Sequence, residues 1–270
     1  MKREELVSVA KECAAAGAEV AETAFRTDIP VEFKESKTDV VTQADHEAQQ
    51  VIIDSIKETF PDDTIVGEEG DTAEMVASTG RTWIIDPIDG TNNFIRGNRR
   101  WATSVACVQD GDPIVAVNEL PALQDRFVAT SDGVYRNGNP VAVSQRSDPE
   151  TFQVAPAIWW PFDERDEYAV ATREIVNRFG DLRRPGSAQA ELSMLAAGSI
   201  EGLITNVETN PWDTVGGAAM VEWAGGTVTD LNGNPWHPDC RGIVASNGTA
   251  HDTLLEAVAE VDAVRQAKTE

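Results

Sequence analysis

The sequence predicts a two-part fold, in which an α+β half at residues 1–146 precedes an α/β half at residues 147–270. Two observations indicate this division. The first half has the pattern of two helices followed by antiparallel strands, whereas strands and helices alternate in the second half. The chain has 270 residues, 41% of them hydrophobic, which suffices for a large core. Residues 144–151 are polar and lack a hydrophobic period, so we expect a soft boundary there rather than a flexible linker.

Two amphipathic helices open the first half. Residues 2–26 carry apolar side chains mostly along one face. A second helix begins near Thr42 or Asp45, because Thr42-Gln-Ala-Asp45 resembles a capping box, and it ends before Pro61. A strand at residues 64–66 then leads into the acidic turn Gly67-Glu68-Glu69-Gly70.

The remaining elements follow from alternation and turn residues. After the hydrophobic run at residues 83–85, antiparallel segments are predicted at 102–109, 113–119, 126–130 and 134–143. In the second half, strands are predicted at 152–159, 200–205, 226–229 and 242–246, and helices at 164–179, 187–198, 214–224 and 250–267.

The composition is strongly acidic. The chain has 46 acidic and 22 basic residues, six of them Lys and sixteen Arg, and a formal net charge of −24. Such a surface repels nucleic acid and anionic membranes, so neither is predicted as a partner. The scarcity of Lys favours a halophilic protein in a cytoplasm of high salt, where ions screen self-repulsion, over an ordinary acidic protein.

The cysteines and the N-terminal segment also indicate a cytoplasmic protein. Cys13, Cys107 and Cys240 are scattered, odd in number and without metal-type spacing, as expected of core residues in a reducing compartment. The first residues are charged and helical rather than typical of a signal peptide, and no apolar run approaches the length of a membrane span.

The stretch WIIDPIDGTNNF, residues 83–94, contains two carboxylates at the end of a buried strand. Asp86 and Asp89 lie beside Pro87 and Gly90, which are turn residues. Taken alone, this stretch fits a solvated turn and a metal site equally well.

Three further sites share the pattern of an acid beside Gly, Pro or Thr at the end of an apolar element. They contain Asp45, Glu68 and Asp213. Oxygen ligands without nearby His or Cys suit Mg²⁺, Mn²⁺ or Ca²⁺ rather than zinc. The Gly90-Thr91 turn adds backbone amides that can bind an anion. A cation and an anion side by side indicate phosphoryl chemistry.

These motifs together resemble the inositol monophosphatase family, a group of magnesium-dependent, lithium-sensitive sugar phosphatases. WIIDPIDGTNNF looks like the first signature of the family, and PWDTVGGAAMVEWAGGTVTD, residues 211–230, looks like the second. GEEG and DVVTQAD fall where its other motifs belong. The resemblance covers residues 7–251 and implies a layered αβαβα sandwich with the active site between the halves.

The resemblance also implies a ligand set for two Mg²⁺ ions, with Mn²⁺ as an alternative. Glu68, Asp86 and the carbonyl of Ile88 would hold the first ion, and Asp86, Asp89 and Asp213 would hold the second. A third, weaker ion would lie near Glu68, which is therefore counted with the catalytic residues.

The remaining roles concern water and substrate. By resemblance, Asp45 and Thr91 orient the attacking water, and the amides of Gly90 and Thr91 receive the phosphate. The resemblance also assigns substrate contacts to the stretch that lines the sugar or inositol ring, Gly186, Ser187 and Ala188. Three polar residues, Asp89, Asn206 and Asp213, are expected to contact the substrate as well. Lys34 or Lys37 would lie on a loop near the site. A homodimer acting on a small phosphate ester is expected.

Two departures from the family pattern leave the substrate open. Asn206 stands where inositol-specific members have Glu, with Glu208 close by, and Asn92 replaces a commoner Thr. Arg183 and Arg184 could neutralise a second phosphate, so fructose-1,6-bisphosphatase or dual activity is the alternative to inositol monophosphatase. A 3′-phosphoadenosine 5′-phosphate phosphatase and a non-catalytic phosphate or metal binder are weaker alternatives.

Overall fold

The chain folds into five layers, helix pair, sheet, helix pair, sheet and helix pair, in a computed structural model that describes residues 3–33, 40–70, 72–73 and 75–269. This arrangement confirms the αβαβα sandwich. Among the described helices, none combines the length and the hydrophobicity that a membrane span requires.

The first layer consists of α1 (Arg3–Ala24) and α2 (Gln43–Thr59). The predicted capping box is present, because the Thr42 hydroxyl accepts from Ala44 N (3.2 Å) and the Asp45 carboxylate accepts from Thr42 N (2.8 Å). Both helices pack on the next sheet, where their buried aliphatic side chains meet Trp83, among other core residues.

The first half also contains two short elements that the sequence pattern did not predict. The strands β1 (Val31–Phe33) and β2 (Val40–Thr42) form an antiparallel pair. They escaped prediction because three residues are too few to establish an alternating pattern. Lys34 and Lys37 lie outside the described residues.

The second layer is a seven-stranded sheet in sequence order. Its strands are β3 (Thr64–Gly67), β4 (Arg81–Asp89), β5 (Ala102–Gln109), β6 (Asp112–Leu120), β7 (Asp125–Thr130), β8 (Gly133–Arg136) and β9 (Asn139–Val141). Among the described strands of this sheet, β3 and β4 pair in parallel and the other neighbours pair antiparallel. The predicted segment 134–143 is two strands, because Asn137 and Gly138 both have positive φ and form a tight hairpin turn.

The second half supplies the other three layers. Its elements are β10 (Gln153–Pro156), α4 (Arg165–Arg178), β11 (Asp181–Leu182), α5 (Ala188–Ala196), β12 (Gly202–Thr205), α6 (Pro211–Trp223), β13 (Thr227–Thr229), β14 (Ile243–Ser246) and α7 (His251–Thr269). The sheet order is β11-β10-β12-β14-β13.

The helices α5 and α6 form the middle layer. They pack against strands of both sheets, while α4 and α7 cover the outer face of the five-stranded sheet. A mainly aliphatic core joins the two sheets through this helix pair. The N-terminal ends of α5 and α6 therefore come close to the end of β4, where Asp86 and Asp89 lie.

Candidate active site and metal centre

A β-bulge places the side chains of Asp86 and Asp89 in the same site. In a regular strand, residues three apart point to opposite faces. Here Asp86 pairs with Ser104 and Asp89 pairs with Ala102, so β4 uses three steps where β5 uses two. The extra residue turns both carboxylates to the same side. Thr103 Oγ1 donates to Pro87 O (2.7 Å) and holds the bulge.

Asp213 reaches the same place from the second half. The helix α6 begins at Pro211, three residues before the predicted start, because proline fits the first turn of a helix. Asp213 thus lies in the first turn, and its Oδ2 accepts from Asn210 N (3.1 Å) in a capping box. The cap directs the carboxylate toward the inter-sheet site.

The three aspartates converge on one point. Carboxylate oxygens of Asp86, Asp89 and Asp213 lie within 4.8 Å of one another. Burial raises the pKa of Asp213 to about 8, with repulsion from Glu68 and Asp89 adding to the shift. Burial also raises the pKa of Asp86 well above its usual range, as do Glu68, Asp89 and Asp213. Clustered buried carboxylates of this kind are stabilised by a cation between them.

The donor set fits a hard divalent cation. Asp86 Oδ1 is buried, and no donor within the described part of the chain bonds this oxygen, although a buried carboxylate oxygen normally has a partner. A cation would satisfy this oxygen. The cluster contains only oxygen ligands, which suits Mg²⁺ or Mn²⁺ rather than zinc.

Glu68 follows directly after β3, which runs parallel to β4. The ends of parallel neighbours meet at one edge of a sheet, so Glu68 is placed beside Asp86 and contributes to the raised pKa of that residue. The next residue, Glu69, is buried, and Gln49 of α2 holds its backbone on both sides, accepting from Glu69 N (2.9 Å) and donating to Glu69 O.

Asp45 and Thr91 form a second group beside the aspartates. Thr91 Oγ1 lies 3.3 Å from Asp45 Oδ1 and 3.0 Å from Ile88 O. The other oxygen of Asp45 accepts from Thr42 N and Thr42 Oγ1. Burial raises the pKa of Asp45 to about 6, against the lowering effect of the Thr42 hydrogen bonds. A carboxylate with this pKa can accept a proton near neutral pH.

Gly90 and Thr91 form the turn between β4 and the short helix α3 (Thr91–Ile95). Gly90 caps α3 with φ of 89°, a left-handed conformation that favours glycine. A side chain there would also crowd the second half, because a Cβ on Gly90 would lie 3.0 Å from Gly186 O. The turn is thus pressed against the stretch that the resemblance assigns to the substrate ring.

The stretch from Gly186 to Gln189 contacts Asp89 directly. Asp89 Oδ2 accepts from Ser187 Oγ and from Gln189 N (2.7 Å), and Oδ1 accepts from Ala188 N (3.1 Å). Burial raises the pKa of Asp89, and these hydrogen bonds oppose the rise. Hydrogen bonds to Asp89 therefore place Ser187 and Ala188 beside the cluster of aspartates.

Asn206 is placed differently from the expectation that it contacts substrate. Its side chain is fully buried, accepting from Trp160 Nε1 (2.8 Å) and donating to Glu167 Oε2 (2.7 Å). This corrects the predicted role, because the polar groups face the core of the second half rather than the cluster of aspartates. Glu208, two residues later, is exposed.

Arg183 and Arg184, which were expected to neutralise a second phosphate, both have acidic partners within the second half. Arg183 pairs with Asp181 and donates to Gln153 Oε1 (3.0 Å). Arg184 pairs with Glu191 (3.3 Å). Both guanidinium groups tether segments of the second half, and neutralisation of a second phosphate by them stays a prediction.

Several supporting residues were missed by the sequence analysis. They hold the backbone around the site and comprise Gln49, Asn93, Thr103 and Glu191. Only Asn93 lay in a recognised motif. Gln49 and Thr103 bond backbone atoms more than ten residues away, and the bonds of Glu191 to Gly186 N and Arg184 span five and seven residues, a spacing that no sequence pattern marks.

The metal-free protein is expected to lose stability as pH rises. Burial raises the pKa of the Asp213 carboxyl from its ordinary value of 3.8 to about 8 in the folded protein. Between these values the folded state binds a proton that the unfolded state has lost, so the free energy of unfolding falls with pH. The measurement is the melting temperature in chelator across this window.

An Asp213→Asn variant is the control for this pH dependence. It removes one titrating group, so its melting temperature should fall less over the same range. Added Mg²⁺ should stabilise the wild type more at the alkaline end, because a cation needs ionised ligands. A wild-type melting temperature that is constant or rises with pH in chelator would contradict this prediction.

Comparison with known proteins agrees with the site. The model of the inositol monophosphatase family matches residues 2–263. The chain is 34% identical to the fructose-1,6-bisphosphatase/inositol-1-monophosphatase of Thermotoga maritima, over 86% of this chain and 87% of that protein. It is 32% identical to the inositol-1-monophosphatase of Bacillus subtilis, over 89% and 91% respectively. A solved Thermotoga maritima IMPase has a TM-score of 0.84 at 31% identity and covers 96% of each chain.

The layered fold is that of solved inositol monophosphatases, and the carboxylate cluster between its sheets could hold a metal ion. The chain belongs to the inositol monophosphatase family. It is accordingly a phosphoric monoester hydrolase whose substrates are small phosphate esters.

Proposed function

We propose that this chain is a Mg²⁺-dependent phosphomonoesterase that hydrolyses inositol monophosphate or a related sugar phosphate with an activated water. The observation that carries the proposal is the convergence of Asp86, Asp89 and Asp213, in which one buried oxygen of Asp86 has no hydrogen-bond donor among the described residues. A plain structural cluster would leave this charge uncompensated.

The ligands divide into two sets. Glu68, Asp86 and the carbonyl of Ile88 would hold one cation, and Asp86, Asp89 and Asp213 would hold another, with a third near Glu68. Bound Mg²⁺ supplies neutralisation of the phosphate charge and makes water a better nucleophile. Mn²⁺ prefers the same oxygen ligands.

Asp45 and Thr91 would orient the attacking water. The hydroxyl of Thr91 has one proton to donate, to Asp45 or to Ile88 O, and its lone pairs remain available to a water. Asp45 Oδ1 faces this hydroxyl, while Oδ2 is occupied by Thr42. A water held between the two side chains can pass its proton to Asp45.

Substrate contacts would come from both halves. The amides of Gly90 and Thr91, at the turn that opens α3, would receive the phosphate. Gly186, Ser187 and Ala188 would line the remainder of the substrate, with Asp89 and Asp213 available to its hydroxyl groups. Both halves would then have to be in place before the ester binds.

Fructose-1,6-bisphosphatase activity is the second candidate. It is favoured by the dual name of the Thermotoga maritima relative, although both arginines have acidic partners within the protein. A homodimer and a halophilic cytoplasmic setting remain predictions. Light scattering tests the first, and the melting temperature in increasing KCl tests the second.

Release of inorganic phosphate tests the proposed function. The substrates are inositol 1-phosphate, fructose 1,6-bisphosphate, 3′-phosphoadenosine 5′-phosphate and β-glycerophosphate, each with Mg²⁺, Mn²⁺ or EDTA. We expect turnover of inositol 1-phosphate with Mg²⁺ and none with EDTA. Turnover in EDTA would refute metal dependence, preference for the bisphosphate would favour the second candidate, and phosphate binding without turnover would indicate a non-catalytic binder.

A further inference from the structure

We propose that Glu191 is a positioning residue for the metal centre, which acts by holding the turn that orients the Asp89 carboxylate. This inference rests on the proposed metal-dependent function, because it assigns to Glu191 an effect on the affinity of the centre for its cation.

The orientation of Asp89 is decided by the second half of the molecule. Asp89 belongs to β4, yet its oxygens accept from Ser187 Oγ, Ala188 N and Gln189 N. These donors lie in one short stretch at the start of α5. If this stretch moves, Asp89 must rotate or leave its hydrogen bonds unmade, and each unmade bond to a buried charge is costly.

Glu191 binds the backbone of the turn that leads into this stretch. Its side chain is fully buried, and its Oε1 accepts from Gly186 N (2.9 Å) and Arg184 Nη1 (3.3 Å). Arg184 in turn donates to Ile158 O (3.1 Å). A buried ion pair often contributes little to stability compared with apolar packing. The contribution of Glu191 therefore lies in the geometry of the turn that it holds.

Asn93 holds the same turn from the first half. Its Nδ2 lies 2.7 Å from Pro185 O and 3.2 Å from Gly186 O. Glu191 binds the amide of Gly186 and Asn93 approaches its carbonyl. Gly186 has φ of 86°, and a Cβ on Gly90 would approach its carbonyl to 3.0 Å. The turn is thus held from both halves of the molecule and lies against Gly90. A small displacement of the turn would therefore move the donors that bind Asp89.

Glu201 provides a matched control for a purely structural role. It too is fully buried, and it accepts from one arginine, Arg146 Nη1 (2.7 Å), and one backbone amide, Gln153 N (2.7 Å). These partners precede or lie in β10, so its loss should affect stability without moving the Asp89 turn.

The test is calorimetric titration of Mn²⁺ into the wild type and four variants, Glu191→Asp, Glu191→Gln, Glu201→Asp and Glu201→Gln, with melting temperatures measured in parallel. Aspartate keeps the charge but is one carbon shorter, so it withdraws from Gly186 N. Glutamine keeps the reach and an acceptor oxygen. We expect Glu191→Asp to weaken Mn²⁺ binding by roughly tenfold, the scale of losses for residues behind metal ligands.

The order of the variants distinguishes positioning from stability. Glu191→Gln should retain most of the Mn²⁺ affinity, and both Glu201 variants should lower the melting temperature while leaving the affinity unchanged. The inference is overturned if Glu191→Asp binds Mn²⁺ like the wild type while losing as much melting temperature as Glu201→Asp. If Glu191→Asp does not fold, Asn93→Ala releases the turn from its other side, and an unchanged Mn²⁺ affinity would then be decisive against it.

Phosphate release separates this inference from the proposed function. In Glu191→Asp the Mg²⁺ concentration for half-maximal rate should rise, while kcat at saturating Mg²⁺ should recover most of its wild-type value. A loss of kcat that excess Mg²⁺ does not recover would also count against positioning of the cation. A wild type that binds Mn²⁺ but releases no phosphate refutes the proposed function and leaves the titration valid.

Discussion

Replacing Asp213 with asparagine is expected to lower kcat for phosphate release by at least about 100-fold, because residues that merely support metal ligands already account for losses up to this size. Asp213 is one of the three carboxylates within 4.8 Å of one another, and it is the one supplied by the second half. The rate is measured with inositol 1-phosphate at saturating Mg²⁺, and Mn²⁺ affinity is measured alongside it.

The fold should survive this substitution. An asparagine oxygen can still accept from Asn210 N, so the capping box of α6 is retained. Removing a buried carboxyl that must take up a proton, or bear an unfavourable charge, on folding should raise the melting temperature of the metal-free protein. Asp252→Asn, in the exposed first turn of α7, is the matched control and should leave the rate unchanged. A folded Asp213→Asn variant with near wild-type activity would refute the proposed metal centre.

Replacing Asp45 with asparagine is expected to lower kcat by about 100- to 10,000-fold, the usual contribution of a general base. The asparagine oxygen can accept from Thr42 N and Thr42 Oγ1 in place of Oδ2. Its amide group then faces Thr91 where a proton acceptor stood. Mn²⁺ affinity should stay close to that of the wild type, in contrast to Asp213→Asn.

The control for this variant lies on the same helix. Asp54 is exposed on α2 and bonds only Gln50 Nε2 (2.8 Å) among the contacts described, so Asp54→Asn should have wild-type kinetics. The pH profile gives a second readout, because the acid limb assigned to Asp45, with its pKa near 6, should disappear in the variant. An Asp45→Asn variant with the wild-type rate and pH profile would remove Asp45 from the mechanism.

Local sequence was sufficient for the features that depend on neighbours in the chain. The capping box of Thr42 and Asp45 was predicted and is present, because both partners lie within one helical turn. The burial of the strand that carries Asp86 was likewise predicted from its apolar run, and the structure confirms it. The αβαβα sandwich followed from the family resemblance, whose ordered motifs span most of the chain.

Other features of the site could not be predicted from local sequence. The bulge between Asp86 and Asp89 depends on the register with β5, which no property of the motif specifies. Asn206 and Arg184 were expected to contact the substrate. In the structure Asn206 bonds Trp160 and Glu167, and Arg184 pairs with Glu191. A polar side chain that becomes buried must be paired, and only the packing of distant segments determines which partner is near.

The sequence by itself predicted the class of chemistry, because an acidic, His-free set of motifs around Gly90-Thr91 suits a hard cation beside a phosphate. Only the tertiary structure decided how the carboxylate side chains are oriented. Asp89 takes its orientation from Ser187, Ala188 and Gln189, almost one hundred residues later in the chain. Ligand identity is a property of side-chain type, whereas ligand geometry depends on the packing of two sheets that sequence patterns do not encode residue by residue.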